Sequence, residues 1–208
     1  MLDGPVYLDA NVLASFLVNG HPLYPSSAAL IGDLLAGQIP IVLSDLVLTE
    51  SLWALSHLAY CDAFGHTRYD VDFKHATYKR HHAAIFGSAH GEKVAAVVEF
   101  VRSLEDLHLL VVSHPKNSEW VMQVDSTHAL MRSDRLLPGD ATHLAIAEGH
   151  ARTLVTADES LAKTGGVSPA KLSMVWLRPS RPARTARALA RARQKVRPQR
   201  SGKAGRRQ

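Results

Sequence analysis

The chain has 208 residues, of which 46% are hydrophobic and 21% charged, the make-up of one ordinary globular domain with a substantial core. No uninterrupted apolar run approaches the roughly 20 residues that cross a bilayer. The start, MLDGPVYLDANVL, lacks a basic segment and carries acids within its apolar stretch, so it does not read as a signal peptide. Cys61 is the only cysteine, which excludes an internal disulfide and makes a cytoplasmic, reducing setting the expectation. The formal charge of +5 conceals an uneven distribution: twelve of the 24 Lys and Arg lie between Arg178 and Gln208, where there is no Asp or Glu. The remainder sets twelve basic residues against all 19 acidic ones, a formal −7, so the chain reads as an acidic body with a basic tail.

In chain order, Pro5 to Leu8 reads as a short apolar strand ending at Asp9. An amphipathic segment follows, and Pro25-Ser26-Ser27 opens a helix to about Leu35, with Gly37 as its stop. Ile39 to Leu43 is the second strand, and Ser44 is a good N-cap for a helix from Asp45 to about Ala59. Helical spacing puts Glu50 on one face with Leu46, Trp53 and His57. Residues 61–91 read as an insertion, helical in part from Asp72 to Phe86 and containing His66, His75, His81, His82 and His90.

A helix from Lys93 to Leu104, a strand from Leu107 to Val112 and a helix from Ser118 to Met131 come next. Pro138-Gly139 reads as a turn with Asp140 capping a helix to Glu148, and Gly149 ends it. Thr153 to Thr156 is the fourth strand, ending just before Asp158, and Leu172 to Leu177 is the fifth. Strands separated by helices predict an α/β fold, a doubly wound parallel sheet of about five strands flanked by helices, over residues 1–178. Residues 179–208 form the basic tail, expected to be disordered in isolation, with a short helix possible over 183–193.

Asp9, Glu50, Asp140 and Asp158 all fall near strand ends and helix starts, which an open parallel sheet brings to one crevice. Each has a plainer role: Asp9, Asp140 and Asp158 as helix caps, Glu50 in a solvated stripe. Gathered together they would need a cation, because like charges resist joint ionisation, and Mg²⁺ or Mn²⁺ prefers oxygen ligands. Asn11 could bond a carboxylate or water, or cap the first helix. Thr156 could orient a ligand or contact phosphate. N-capping alone accounts for Ser44, and His143 could contact phosphate from one turn beyond Asp140, although a surface or packed position suits it better. The five insertion histidines lack cysteine partners and a closed four-ligand spacing, which argues against zinc.

The stretches Val6-Tyr7-Leu8-Asp9-Ala10-Asn11-Val12-Leu13, Ser44-Asp45-Leu46-Val47-Leu48-Thr49-Glu50, Gly139-Asp140-Ala141-Thr142-His143-Leu144-Ala145-Ile146-Ala147 and Leu154-Val155-Thr156-Ala157-Asp158 together resemble the PIN-domain nucleases, including the VapC-type toxin ribonucleases. The resemblance covers most of residues 5–60 and 93–177, but neither the insertion nor the tail. It implies that Asp9, Glu50, Asp140 and Asp158 surround one or two Mg²⁺ or Mn²⁺ ions, with Asp9 and Asp140 as direct ligands and Glu50 and Asp158 direct or through water. It further implies hydrolysis of RNA to 5′-phosphate and 3′-hydroxyl products, a cognate antitoxin protein as partner, and a homodimer. A haloacid-dehalogenase phosphatase fits less well, because Asn11 stands where that class has a second acid. A non-catalytic PIN-like module binding RNA or protein, or an RNA-processing nuclease without an antitoxin, is the other alternative.

Overall fold

The computed structural model describes residues 2, 4–66, 73–86, 88–113, 117–134, 136–164 and 172–179. Five strands form one sheet: β1 (Val6–Leu8), β2 (Ile41–Ser44), β3 (Leu110–Ser113), β4 (Thr153–Thr156) and β5 (Ser173–Trp176). Their order is β3-β2-β1-β4-β5, and every pairing is parallel. The chain therefore builds outward from β1 to β3, crosses back, and builds outward again from β4 to β5. The reversal lies between β1 and β4, and open α/β sheets place their ligands outside the strand ends at such a point.

Helices cover the sheet on both faces, so its central strands are apolar throughout rather than alternating. Val6, Tyr7, Leu8, Ile41, Val42, Leu154 and Val155 are all fully buried in one core with Leu13, Leu104 and Leu144. Among the described residues the helices are α1 (Ala10–Leu17), α2 (Tyr24–Ala36), α3 (Asp45–Ala63), α4 (His75–Arg80), α5 (His82–Ile85), α6 (Ser88–Asp106), α7 (Asn117–Asp134), α8 (Pro138–His150) and α9 (Glu159–Thr164). The doubly wound parallel α/β architecture is the one expected from the sequence.

The departures are local and have physical causes. Gln38 takes a positive φ of 52° after Gly37 ends α2, so β2 begins two residues later than its apolar run and extends through Ser44. Ser44 then caps α3 by accepting the Val47 N–H at 3.3 Å. The third strand likewise starts three residues late, because His108, at φ 56°, turns the chain after α6. The helix α3 runs four residues past Ala59, since Ala59, Tyr60 and Cys61 bury against Ile85 in a second small core that Phe73 and Tyr78 help to cover. Pro138 and Gly139 form no separate turn. Proline suits the first helical position because its φ is already helical and its missing N–H is not needed, so α8 starts at Pro138 and Asp140 lies inside its first turn. The readings for residues 67–72 and 180–208, including the tail helix, lie outside the described residues.

Leu154 sits in β4 between Tyr7 of β1 and Met174 of β5, with no exposed surface. Leu154→Ala is expected to lower unfolding stability by about 2–5 kcal/mol, the cost of a core cavity. Urea denaturation would register this as a lower midpoint at unchanged slope.

Candidate metal centre

The chain direction alone brings the first acid to the reversal point. Asp9 follows β1 directly, in extended conformation, and its N–H continues the ladder to the Val155 carbonyl at 3.0 Å. Its side chain does not cap α1. It points instead into the gap between β1 and β4, where only 5% of the residue is exposed. There Thr156, the last residue of β4, donates its hydroxyl to Asp9 Oδ2 at 2.5 Å. The same hydroxyl oxygen accepts the Asp158 N–H at 2.9 Å, so one threonine ties two acid-bearing segments together.

Glu50 approaches from α3 and His143 from α8. His143 is 2% exposed, and its Nε2 lies 2.8 Å from Glu50 Oε2 and 3.7 Å from Asp9 Oδ1. Its Nδ1 lies 2.7 Å from the Tyr7 hydroxyl, which is 2.9 Å from Ser44 Oγ. With both ring nitrogens protonated, His143 donates to Glu50 and to Tyr7, and Tyr7 donates to Ser44. The chain of bonds fixes the imidazole plane. His143 is packed, one of the positions expected for it, and the fold adds what the sequence does not show, its place between Glu50 and Asp9. Tyr7 carries no mark of a site residue in the sequence, where it is one tyrosine in an apolar strand. The available signal was that Asp140 and His143 lie three apart on one helix, hence on one face.

The remaining acids lie further out. Asp140 is partly exposed in the first turn of α8, and the residue before it, Gly139, is close enough that an added Cβ would lie 3.5 Å from Glu50 Oε1. Asp158 acts as a helix cap: its Oδ1 accepts from Ser160 N at 2.6 Å, Ser160 Oγ at 2.5 Å and Leu161 N at 3.3 Å. Asn11 neither holds a carboxylate nor caps α1; its Oδ1 accepts the Ala157 N–H at 3.0 Å and so pins α1 to the loop after β4. Beyond Asn11 and Asp158 opens a cleft of about 600 Å³, whose walls include His21, His57, Trp176 and Leu177.

Proton affinities record the crowding. Burial drives the Asp9 carboxyl above the ordinary carboxylate range, against the pull of His143 and the Thr156 hydrogen bond. Asp140 is also raised, by burial and then by the charges of Asp158 and Asp9. Burial pulls His143 down, but the Glu50 hydrogen bond and the Asp9 and Glu50 charges outweigh it and raise its affinity overall. Burial likewise pushes the Tyr7 hydroxyl far up, so it stays protonated. Asp158 moves the other way, held low chiefly by the Ser160 hydroxyl.

Asp9, Glu50 and His143 each offer one ligand atom within 4.8 Å of the others. The two carboxylates suit an oxygen-preferring divalent cation, and the His143 Nε2 could join them only after giving up its proton. The raised affinities of Asp9 and Asp140 are the mark of carboxylates short of positive charge, so the donor set fits such an ion. No other group of this kind, and none of the insertion histidines in one, occurs among the described residues. His66, His81 and His82 pack on the rings of Tyr60, Phe64 and Phe86 instead.

A parallel α/β sheet with Asp9, Glu50 and His143 gathered at its reversal point defines an α/β protein with a candidate divalent-metal site at a strand-end crevice. Residues 6–167 match the PIN domain model, and the chain belongs to that family, whose members are generally metal-dependent nucleases. No curated protein matches the chain.

The proton affinities predict how stability responds to pH and metal. Asp9 and Asp140 keep protons in the folded protein above the unfolded value of about 3.9, so the metal-free fold loses stability as pH rises past that value. The contribution of His143 is complete below about pH 6.5 and is lost as pH climbs through its raised folded value. Asp158 opposes this trend only in acid, below about pH 3.9. Metal-free protein should therefore melt at lower temperature at about pH 8 than at about pH 6, and Mn²⁺ should restore more at the higher pH, where its ligands are deprotonated. Identical melting in EDTA and in Mn²⁺ at both pH values would remove the metal reading.

Proposed function

We propose that the protein is a metal-dependent ribonuclease that hydrolyses RNA phosphodiester bonds at the Asp9–Glu50–His143 crevice. The observation that carries this reading is the convergence of separate chain segments on one buried, under-neutralised carboxylate at the sheet's reversal point, in a chain of the PIN family. Asp9 and Asp140 are the proposed direct ligands, and Glu50 and Asp158 act directly or through water. When bound, Mg²⁺ or Mn²⁺ supplies Lewis acidity and an activated water for in-line attack at phosphorus. Thr156 holds Asp9 Oδ2, leaving Oδ1 turned toward His143. His143, braced by Tyr7 and Ser44, sets the orientation of the Glu50 carboxylate. Asp158 is held rigidly by its cap, which fixes it beside the cleft that would receive the substrate strand.

We further propose that the ribonuclease is the toxin of a toxin–antitoxin pair, working in the cytoplasm. The four ordered motifs that resemble VapC-type toxins support this. The partner antitoxin would offset the acidic pocket with a basic side chain. A homodimer through exposed helix faces belongs to the same reading, and Met122 and Val124 on α7 are 68% and 62% exposed. No helix among the described residues is long and apolar enough to cross a membrane.

Purified protein should cleave single-stranded RNA with Mg²⁺ or Mn²⁺ and not with EDTA. Asp9→Asn and Asp140→Asn should each lower the rate by roughly 10²-fold or more, in line with losing one element of preorganised charge stabilisation. Cleavage that persists in EDTA, or in both variants, would defeat the proposal. The basic tail is read as an electrostatic arm that offsets repulsion between RNA and the acidic body. Removing residues 179–208 should weaken RNA binding and flatten its salt dependence, measured by fluorescence anisotropy at several ionic strengths; an unchanged slope would leave the tail without this role.

A further inference from the structure

The ribonuclease reading places a phosphodiester at the acids but leaves unexplained the aromatic and basic face that Trp53, His57 and residues 73–86 build beside them. From Glu50 the same face of α3 continues through Trp53 and His57. His57 lines the cleft that also contains Asn11 and Asp158, and its ring stacks on Phe73 at 4.9 Å with an interplanar angle of 3°. Phe73 in turn packs on Trp53 at 5.0 Å, and Trp53 on Tyr78 at 5.4 Å. A continuous path of rings thus leads from the cleft wall onto α4. Of these rings Trp53 is the open one, 40% exposed, while Phe73 and Tyr78 are half-buried over the small core beneath; the flanking Phe64 and Phe86, packed on Tyr60 and Tyr78, are 43% and 45% exposed.

Charge changes sign along the same path. Residues 73–86 hold three Lys or Arg and no Asp or Glu, within a body whose formal balance up to residue 177 is −7. Lys79 and Arg80 stand exposed in the last turn of α4. On α3, Asp62 is neutralised by Lys93 at 3.0 Å; Asp70 and Asp72 lie outside the described residues. Flat rings interleaved with cations are what binds a single strand irrespective of sequence, bases stacking on the rings while the cations track the phosphates. Among polyanions, a single strand offers unpaired base faces for an open ring as well as phosphates for the cations.

We propose that this face is a stacking platform for single-stranded RNA, holding the nucleotides next to the one positioned at the acids. The proposal rests on the ribonuclease reading for the identity of the strand, and its test is made without cleavage. Binding of a fluorescein-labelled single-stranded RNA decamer to the full chain is measured by anisotropy in EDTA at several salt concentrations, with a duplex of the same sequence as control. The wild type should prefer the single strand, because a duplex keeps its bases stacked on each other. Trp53→Ala should weaken single-strand binding by roughly five-fold or more and leave duplex binding nearly unchanged, with Trp53→Phe restoring most of the loss. Lys79→Ala combined with Arg80→Ala should flatten the single-strand salt slope by about 1.4, the share of two phosphate contacts.

Equal affinity for both forms, no RNA binding at all, or wild-type binding in both the Trp53 and the Lys79/Arg80 variants would overturn the platform. The cationic tail cannot mimic the result, since charge alone does not favour single strands over duplexes. A platform that behaves as expected in a protein that never cleaves RNA would uphold this inference while refuting the ribonuclease. Cleavage that survives with no change in any platform variant's affinity would do the reverse.

Discussion

The carboxylate of Asp9 occupies a place where an isolated charge is costly, at the end of a fully buried strand between two others. Much of the surrounding arrangement follows from that constraint. A threonine at the end of β4 donates to one oxygen, and a buried histidine stands near the other. Even so, burial outweighs both and leaves the group with a raised proton affinity. A carboxyl in that condition gains from added positive charge, whether a proton or a cation supplies it.

The support around Asp9 is layered. Tyr7, two residues before it and on the same face of β1, braces His143, while Ser44 serves both as the cap of α3 and as the end of that bonded chain. Thr156 plays the equivalent double part at β4, holding Asp9 and receiving the backbone of Asp158. Two small hydroxyl residues at strand ends thus link secondary structure to site geometry. Because these bonds are buried or partly buried, movement of any one strand end would disturb the acids together.

The fold was legible because its cause is local. Apolar runs too short for helices, separated by amphipathic segments of helical length, admit few packings other than a covered parallel sheet. Strand limits at Ile41 and Leu110 were less legible, since Gln38 and His108 adopt a left-handed backbone that their residue types do not announce. Asp140 read as a cap and proved to be inside the helix, because Pro138 rather than the acid sets where α8 begins. The capping behaviour of Asp158, by contrast, depends only on neighbours two and three residues away, and such bonds are visible in sequence.

Residue types and their order therefore determined the α/β class, the split between an acidic body and a basic tail, and a short list of acids near strand ends. Tertiary structure decided which of them meet. The bond between His143 and Glu50 spans 93 positions, and that between Tyr7 and His143 spans 136. No local pattern encodes such pairings, since they exist only once α3 and α8 are docked on the sheet. The same holds for the ring path across α3 and α4, whose members look in sequence like scattered aromatics and a run of histidines. Periodicity specifies the face a residue occupies on its own element; what that face meets is set by packing.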